Sequence, residues 1–302
     1  MHTLLKSAPQ PLWFNTLFSA VESAASLWQR PLCVTPNQQV EVAQALRHSG
    51  TEFLFSDIDF YGLQCAAAEG YAVMATDYAG VMPALSCDIQ LWTSGAGFLD
   101  REPSSEITIV DLKSLDPGAP VSGALVWCKD SLLTERMARF SALGIEPAVA
   151  WNDRVASAGI AGMMEPLVRE YWETHLDTLV QQLGLRTEVA NIYAEALSGS
   201  KLLDLLPTDA PRFFPVKLIP ELYCPKEEIY LALREAGVDV TVPFKPLFKY
   251  QAFETENLLR ASEFYKAVMA LPTHGISCDE ASETARIFLE VLERYSYRSC
   301  SF

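Results

Sequence analysis

Residues 107–128 read ITIVDLKSLDPGAPVSGALVWC. A β-branched run ends in one lysine, Lys113, and an Asp-Pro-Gly turn and a second apolar run follow. Two apolar runs separated by turn residues predict a pair of strands, Ile107–Val110 and Gly123–Trp127. Taken alone, a lysine at a strand end is an ordinary solvated loop residue. It is also the place where an amine can be held against a bound aldehyde.

Working outward, strand-like and helical patterns alternate up to about residue 160. Leu32–Thr35, Glu52–Asp59 and Tyr71–Thr76 read as strands, and Ala84–Asp88 as another running on towards Trp92. Gln39–His48, Tyr61–Glu69 and Ser131–Leu143 have helical spacing and each closes at a glycine. This alternation predicts an α/β fold with a mostly parallel sheet covered on both faces. The second half is richer in helix: Ala156–Leu183, Arg186–Ser198, Pro225–Ala236, Glu254–Ala270 and Cys278–Tyr295, with strands at Phe213–Ile219 and Val238–Val242. Ser277 and Glu280 form a capping-box signature at the last helix. We expect a large domain over residues 1–184 and a small α+β domain over 185–302.

Composition bounds the function. The chain has 302 residues, half of them hydrophobic, and a net charge of −15. That charge repels phosphate backbones and no basic patch offsets it, so nucleic acid is not an expected partner. The apolar runs are too short to span a bilayer, and Met1–Leu12 lacks a signal-peptide pattern, so a cytoplasmic protein without membrane partners is expected. Seven dispersed cysteines without a CxxC pair read as reduced thiols. Four histidines, no HExxH and an isolated His274/Cys278 pair point to no metal site.

Several separated segments together resemble the DegT/DnrJ/StrS family of pyridoxal-phosphate (PLP) sugar aminotransferases. Thr108 stands five residues before Lys113, similar to the family's Ser-to-lysine spacing, and the turn and strand after it match in order. Trp151-Asn152-Asp153-Arg154 resembles the family's Gly-x-Asn-x-Arg. Phe214–Lys217, Lys226–Val238 and Val242–Leu247 are similar to the small-domain segments. The resemblance implies a type I PLP-aminotransferase-like fold, a large mostly parallel sheet domain plus a small C-terminal α+β domain, and a homodimer with shared sites. It implies PLP as cofactor, a nucleotide-linked sugar as ligand and Lys113 as the Schiff-base lysine. The same resemblance assigns Asp88 to the acid against the ring nitrogen, with Asp77 as the weaker candidate. It assigns Thr108 and Thr16 to the cofactor phosphate, and Asn152 to the phosphate of the neighbouring subunit.

The departures are specific. Asn15 replaces the glycine of the phosphate turn, Gln39 or Val40 falls where an aromatic stacks on the ring, and Leu91 and Phe248 replace expected polar residues. Two functions follow: an aminotransferase using Lys113, or a non-catalytic homologue with an incomplete PLP site that binds a sugar nucleotide or serves as a partner subunit. The pair Asp57/Asp59 and residue His274 read as turn residues.

Overall fold

A computed structural model describes residues 10–97, 104–146, 154–219, 222, 225–255 and 258–296. Its centre is a seven-stranded sheet. The strands are β1 (Leu12–Phe14), β2 (Leu32–Val34), β3 (Phe53–Phe55), β4 (Ala72–Thr76), β5 (Ile89–Trp92), β6 (Ile107–Asp111) and β7 (Ala124–Cys128). They lie in the order β1-β7-β6-β5-β4-β2-β3. The five strands from β6 to β3 are parallel, and β7 runs antiparallel between β1 and β6. The 107–128 stretch is thus the predicted strand pair, with Ile107 opposite Cys128 and Asp111 opposite Ala124.

Period-two alternation distributes the strand side chains between two apolar layers. Ile107, Ile109, Ala124 and Val126 join the larger core with α1 (Leu17–Trp28), α2 (Val40–His48) and α4 (Ser131–Ser141). Val110, Leu125 and Trp127 face the other way, onto Trp172, Leu176 and Leu179 of α5 (Pro166–Leu197). A short helix, α3 (Leu112–Leu115), begins at the end of β6. Both faces are covered, so the strands carry few polar side chains.

The second core is built on a three-stranded antiparallel sheet of β10 (Leu203–Leu205), β11 (Phe213–Leu218) and β12 (Val268–Pro272). The far end of α5 packs on it with α6 (Lys226–Glu235) and α8 (Cys278–Arg294). Along α5, Leu183 still belongs to the first side and Val189 already belongs to the second. Helix α7 (Leu259–Ala267) adds Ala261 and Phe264 to the larger core, and the β8–β9 ribbon pairs Ile145–Glu146 with Arg154–Val155.

Four sequence expectations are corrected. Tyr61–Glu69 is not a helix. Asp59 Oδ1 instead accepts the amides of Tyr61 and Leu63, Cys65 donates to the Asp57 carbonyl, and Ile58 bridges Gln64. This is a carboxylate competing with helix for backbone donors. Ala156–Leu183 and Arg186–Ser198 are not two helices. One 32-residue helix starts at Pro166 and passes through Gly184. Val238–Val242 makes one isolated bridge, Thr241 to Ala270, and not a strand. Helix ends at Ala267 within Glu254–Ala270, because Val268 turns extended and enters β12. Among the described residues no helix is long and apolar enough to cross a membrane.

Candidate functional site

The C-terminal ends of β2, β4, β5 and β6 share one edge of the sheet. In an open parallel sheet this is the edge where loops converge and ligands bind. Asp111 ends β6 and caps α3 through its Oδ1, which accepts the Lys113 amide at 3.0 Å. Its Oδ2 accepts Gln39 Nε2 at 3.3 Å, and the same amide reaches the Thr93 carbonyl at 3.4 Å. Gln39 therefore ties the start of α2 to the ends of β5 and β6. Burial raises the Asp111 carboxyl to about 6, against the hydrogen bonds and the nearby Arg212 that favour its charge.

Asp77 follows β4 on the same edge and is 1% exposed. Its two oxygens accept the amides of Gly80, Thr93 and Ser94 and the Ser94 hydroxyl. Burial raises it to about 6 as well. Every contact is internal, so Asp77 staples the loop after β5 to the loop after β4.

Lys113 is half-buried in α3, and its Nζ donates to the Ala119 carbonyl in the turn that follows. Arg186, 1% exposed on α5, donates to the Ser114 and Leu115 carbonyls and so satisfies the end of α3. Its Nη2 also faces His274 Nδ1 at 3.3 Å. Asp116 Oδ2 meets His175 Nε2 at 3.1 Å, and Asp116 Oδ1 lies 3.9 Å from His274 Nε2. Burial, with Arg186 and Arg212 close by, holds the His274 ring below the ordinary histidine value. Burial also lowers Arg186 to about 10.

Between this edge and the second core lies a cleft of 470 Å³. Gln39, Arg212, Phe213, Phe244 and His274 are among its walls. Neither Arg212 nor Asp111 was singled out from the sequence, and His274 read only as a turn residue. The legible signal was an acid at a strand end two residues before Lys113; nothing local marks Arg212.

The residues assigned from the sequence are not gathered in one place. Lys113 and Asp77 lie at the C-terminal edge. Thr16 joins them: β1 runs parallel to β6 through β7, Phe14 and Asp111 both pair with Ala124, and α1 starts just beyond Phe14. Asp88 precedes β5 at the opposite edge, where it accepts the Val73 amide at 2.9 Å and pairs with Arg30 at 3.3 Å. Thr108 is 4% exposed inside β6 and bonds Ser105. Three residues of strand, roughly 10 Å, separate it from Asp111. Asn152 lies outside the described residues.

PLP asks for a lysine amine, an acid at the ring nitrogen and free backbone amides for the phosphate. Two of the amides at the start of α1 are taken. Ser19 donates to the Thr16 hydroxyl, and Phe18 donates to Glu41 Oε1 at 2.9 Å. Glu41 thus places a carboxylate where a phosphate would need its donors, and two like charges cannot share that position. The end of β5 offers Trp92, Thr93 and Ser94 and no acid. Asp77 beside it is fully engaged. The residues present do not fit the cofactor as they stand. Among the described residues no cluster of three or more His, Cys, Asp or Glu side chains is placed to hold a metal ion.

Comparison with known proteins supplies the family. A transaminase from Campylobacter jejuni that acts on UDP-4-amino-4,6-dideoxy-N-acetyl-beta-L-altrosamine is 22% identical over 206 residues. The match covers 65% of this chain and 55% of the relative, so the chain spans about half the length of the curated relatives it matches. A Helicobacter pylori transaminase of the same description is 21% identical over 198 residues, 62% of this chain and 53% of the relative. Among solved structures, Helicobacter pylori PseC, an aminotransferase of pseudoaminic acid biosynthesis, superposes with a TM-score of 0.84 at 20% identity, over 97% of this chain and 90% of that one. The aminotransferase TlmJ from Streptoalloteichus hindustanus gives 0.81 at 17% identity, over 96% and 89%. The fold is that of the type I PLP-dependent sugar aminotransferases, a large mostly parallel sheet with a smaller second domain. The model of the DegT/DnrJ/EryC1/StrS aminotransferase family matches residues 119–286, more than half of the chain, and the chain belongs to that family.

Proposed function

We propose that this chain is a non-catalytic member of its family, a ligand-binding or partner subunit that does not use PLP. The observation that carries this reading is the Glu41 carboxylate on the Phe18 amide at the head of α1. A cofactor phosphate would have to displace a charge-assisted hydrogen bond and then sit beside the displaced carboxylate. Gln39, tied to Thr93 and Asp111, supports the same reading, because an engaged amide stands there and neither Gln39 nor Val40, the two residues near the place of a ring-stacking aromatic, is aromatic. The relatives named above act on a UDP-linked amino sugar, which supports a nucleotide-linked sugar as the ligand class. The family resemblance supports a homodimer, and light scattering at the eluted mass of a dimer is the expected result. We extend the assignment of Asp111, Gln39 and Glu41 as site residues in place of Asp88 and Thr108, which lie away from Lys113. We place the boundary between the two domains near residue 184 on the change of packing partners along α5.

One observation favours the competing reading of a working aminotransferase. Lys113 is at the ligand-binding edge, and its amine engages a backbone carbonyl rather than a carboxylate. PLP, if bound, would supply the electron sink for amino transfer. A titration separates the two. The purified protein is mixed with PLP, and visible absorbance is recorded before and after borohydride. No band at large PLP excess is expected. A band that borohydride fixes to the protein and that Lys113→Ala abolishes would overturn the non-catalytic reading.

A further inference from the structure

Arg212 stands out among the cations of this molecule by how firmly its backbone is held and how little its side chain is engaged. The segment before it lies in a slot lined by glycines. A Cβ on Gly80 would stand 1.7 Å from the Asp209 carbonyl oxygen, and one on Gly97 2.6 Å from Asp209 Oδ2. Three backbone hydrogen bonds fasten the segment to the loops after β4 and β5: Asp209 to Ala79 at 3.0 Å, Ala96 to Ala210 at 3.1 Å and Arg212 to Ser94 at 2.8 Å. Ala79 and Ala210 both have positive φ, 51° and 42°, so the local path is strained and maintained by its surroundings.

Arg212, which this path delivers, is half-buried and lines the cleft. Among the described residues it makes no side-chain hydrogen bond and no ion pair within 4.0 Å. The nearby acids are occupied. Asp111 holds Gln39 and the Lys113 amide, and Asp116 holds His175 and the Gly118 amide. Asp239 on the rim pairs with Arg234. His274 lines the same cleft, with the buried Arg186 behind it. Because Arg186 can only donate to His274 Nδ1, the neutral ring carries its proton on Nε2. The cleft also has an aromatic wall. Phe213 and Phe244 meet edge-to-face at 5.8 Å, both against Tyr78. Phe244 has φ +44°, an uncommon conformation for a bulky residue. Strain held by packing at a cleft wall is a feature of ligand sites.

We propose that the cleft binds a small organic anion, a carboxylate or phosphate head on a flat apolar body, with Arg212 as the residue that holds the head. A planar guanidinium grips either head with two parallel hydrogen bonds, and the phenyl rings cover the body. The volume falls within the range of small-molecule pockets. This inference rests on reading the cleft as a ligand site, as proposed above.

The test uses the full chain without PLP and four probes: phenyl phosphate, benzoate, inorganic phosphate and benzyl alcohol. Binding is followed by calorimetry. Phenyl phosphate or benzoate is expected to bind at least tenfold more tightly than inorganic phosphate and benzyl alcohol, and the better of the two identifies the head. Arg212→Gln should weaken that probe at least tenfold, and Arg212→Lys should recover only part of the loss. Circular dichroism of both variants checks that they fold, and an unfolded Arg212→Gln leaves Arg212→Lys to decide. Equal affinity in wild type and both variants, binding of benzyl alcohol as tight as phenyl phosphate, or no heat from any probe would overturn the proposal. These outcomes are independent of the PLP titration, where a borohydride-fixed band sinks the non-catalytic reading and leaves the Arg212 result standing.

Discussion

Replacing Gly80 by alanine tests the slot that aims Arg212. Two costs are separable. The first is conformational: Gly80 has φ +86°, and an L-residue in that region loses roughly 1–2 kcal/mol. The second is steric. The new Cβ would lie 1.7 Å from the Asp209 carbonyl oxygen, and Cβ atoms do not approach neighbours closer than 3.0 Å. The Asp209 segment must therefore move by at least 1.3 Å, which is 3.0 less 1.7. That shift breaks or stretches the three backbone hydrogen bonds at Asp209, Ala96 and Arg212. At about 1 kcal/mol each they add about 3 kcal/mol, for a total of about 4–5 kcal/mol. Gly50 supplies the control. Its φ is +72°, yet a Cβ there meets nothing within 4 Å, so Gly50→Ala isolates the conformational cost. Urea unfolding of the two variants should differ by about 3 kcal/mol at unchanged m-value. Phenyl phosphate binding should fall in Gly80→Ala and persist in Gly50→Ala. If the two variants lose equal stability, the slot is not holding the Asp209 segment and the placement of Arg212 has another cause.

Three further outcomes are expected. Arg186→Met should cost about 3–5 kcal/mol in urea unfolding, because it strands the buried Ser114 and Leu115 carbonyls at the end of α3; a loss under 1 kcal/mol would contradict this. Asp111 is raised from 3.8 to about 6 by burial, so its contribution to stability is full below pH 4 and is lost as pH rises through 6. Asp111→Asn keeps a good helix cap and removes the titration, so its stability should fall less than wild type between pH 4 and 7, by up to about 3 kcal/mol; parallel pH profiles would refute the assignment. Glu41→Gln exchanges a charge-assisted hydrogen bond at a helix N-terminus for a neutral one, and unfolding free energy should drop by about 1 kcal/mol. An unchanged or raised value would mean that the Glu41 charge does not stabilise α1.

Much of the fold was legible because its signals are local. The strand pair in 107–128, the glycine-closed helices at Gln39–His48 and Ser131–Leu143 and the Ser277/Glu280 capping box each depend on a few adjacent residues, and the structure contains them. Where expectation failed, a distant partner decided. Asp57 and Asp59 turn Tyr61–Glu69 into a loop, and Asp57 is itself held by Ala261 at 2.9 Å, far along the chain. The segment around Val268 goes extended because β11 is there to pair with it. The site divides along the same line. The place of Lys113 is readable, since a lone lysine between two strands stands out in the sequence. Asp88 follows from the likeness of Leu85–Asp88 to a strand ending in an acid, but the strand there begins at Ile89, so Asp88 lies at the edge away from Lys113. Glu41 on Phe18 and Gln39 on Asp111 are contacts between separate elements, and no spacing in the sequence announces them.

The long helix α5 has a mechanical consequence. At 1.5 Å per residue its 32 residues make a rod of about 48 Å, with one half embedded in each core. Neither core can be pulled open without bending the rod or stripping it from its partner. The cleft between them is a mouth whose jaws are cast in one piece. A ligand entering it meets a gap whose width the rod helps to set, so capture spends little on closing motion. Heat or denaturant should likewise take both cores down in one concerted step, with the rod carrying the failure of either core to the other.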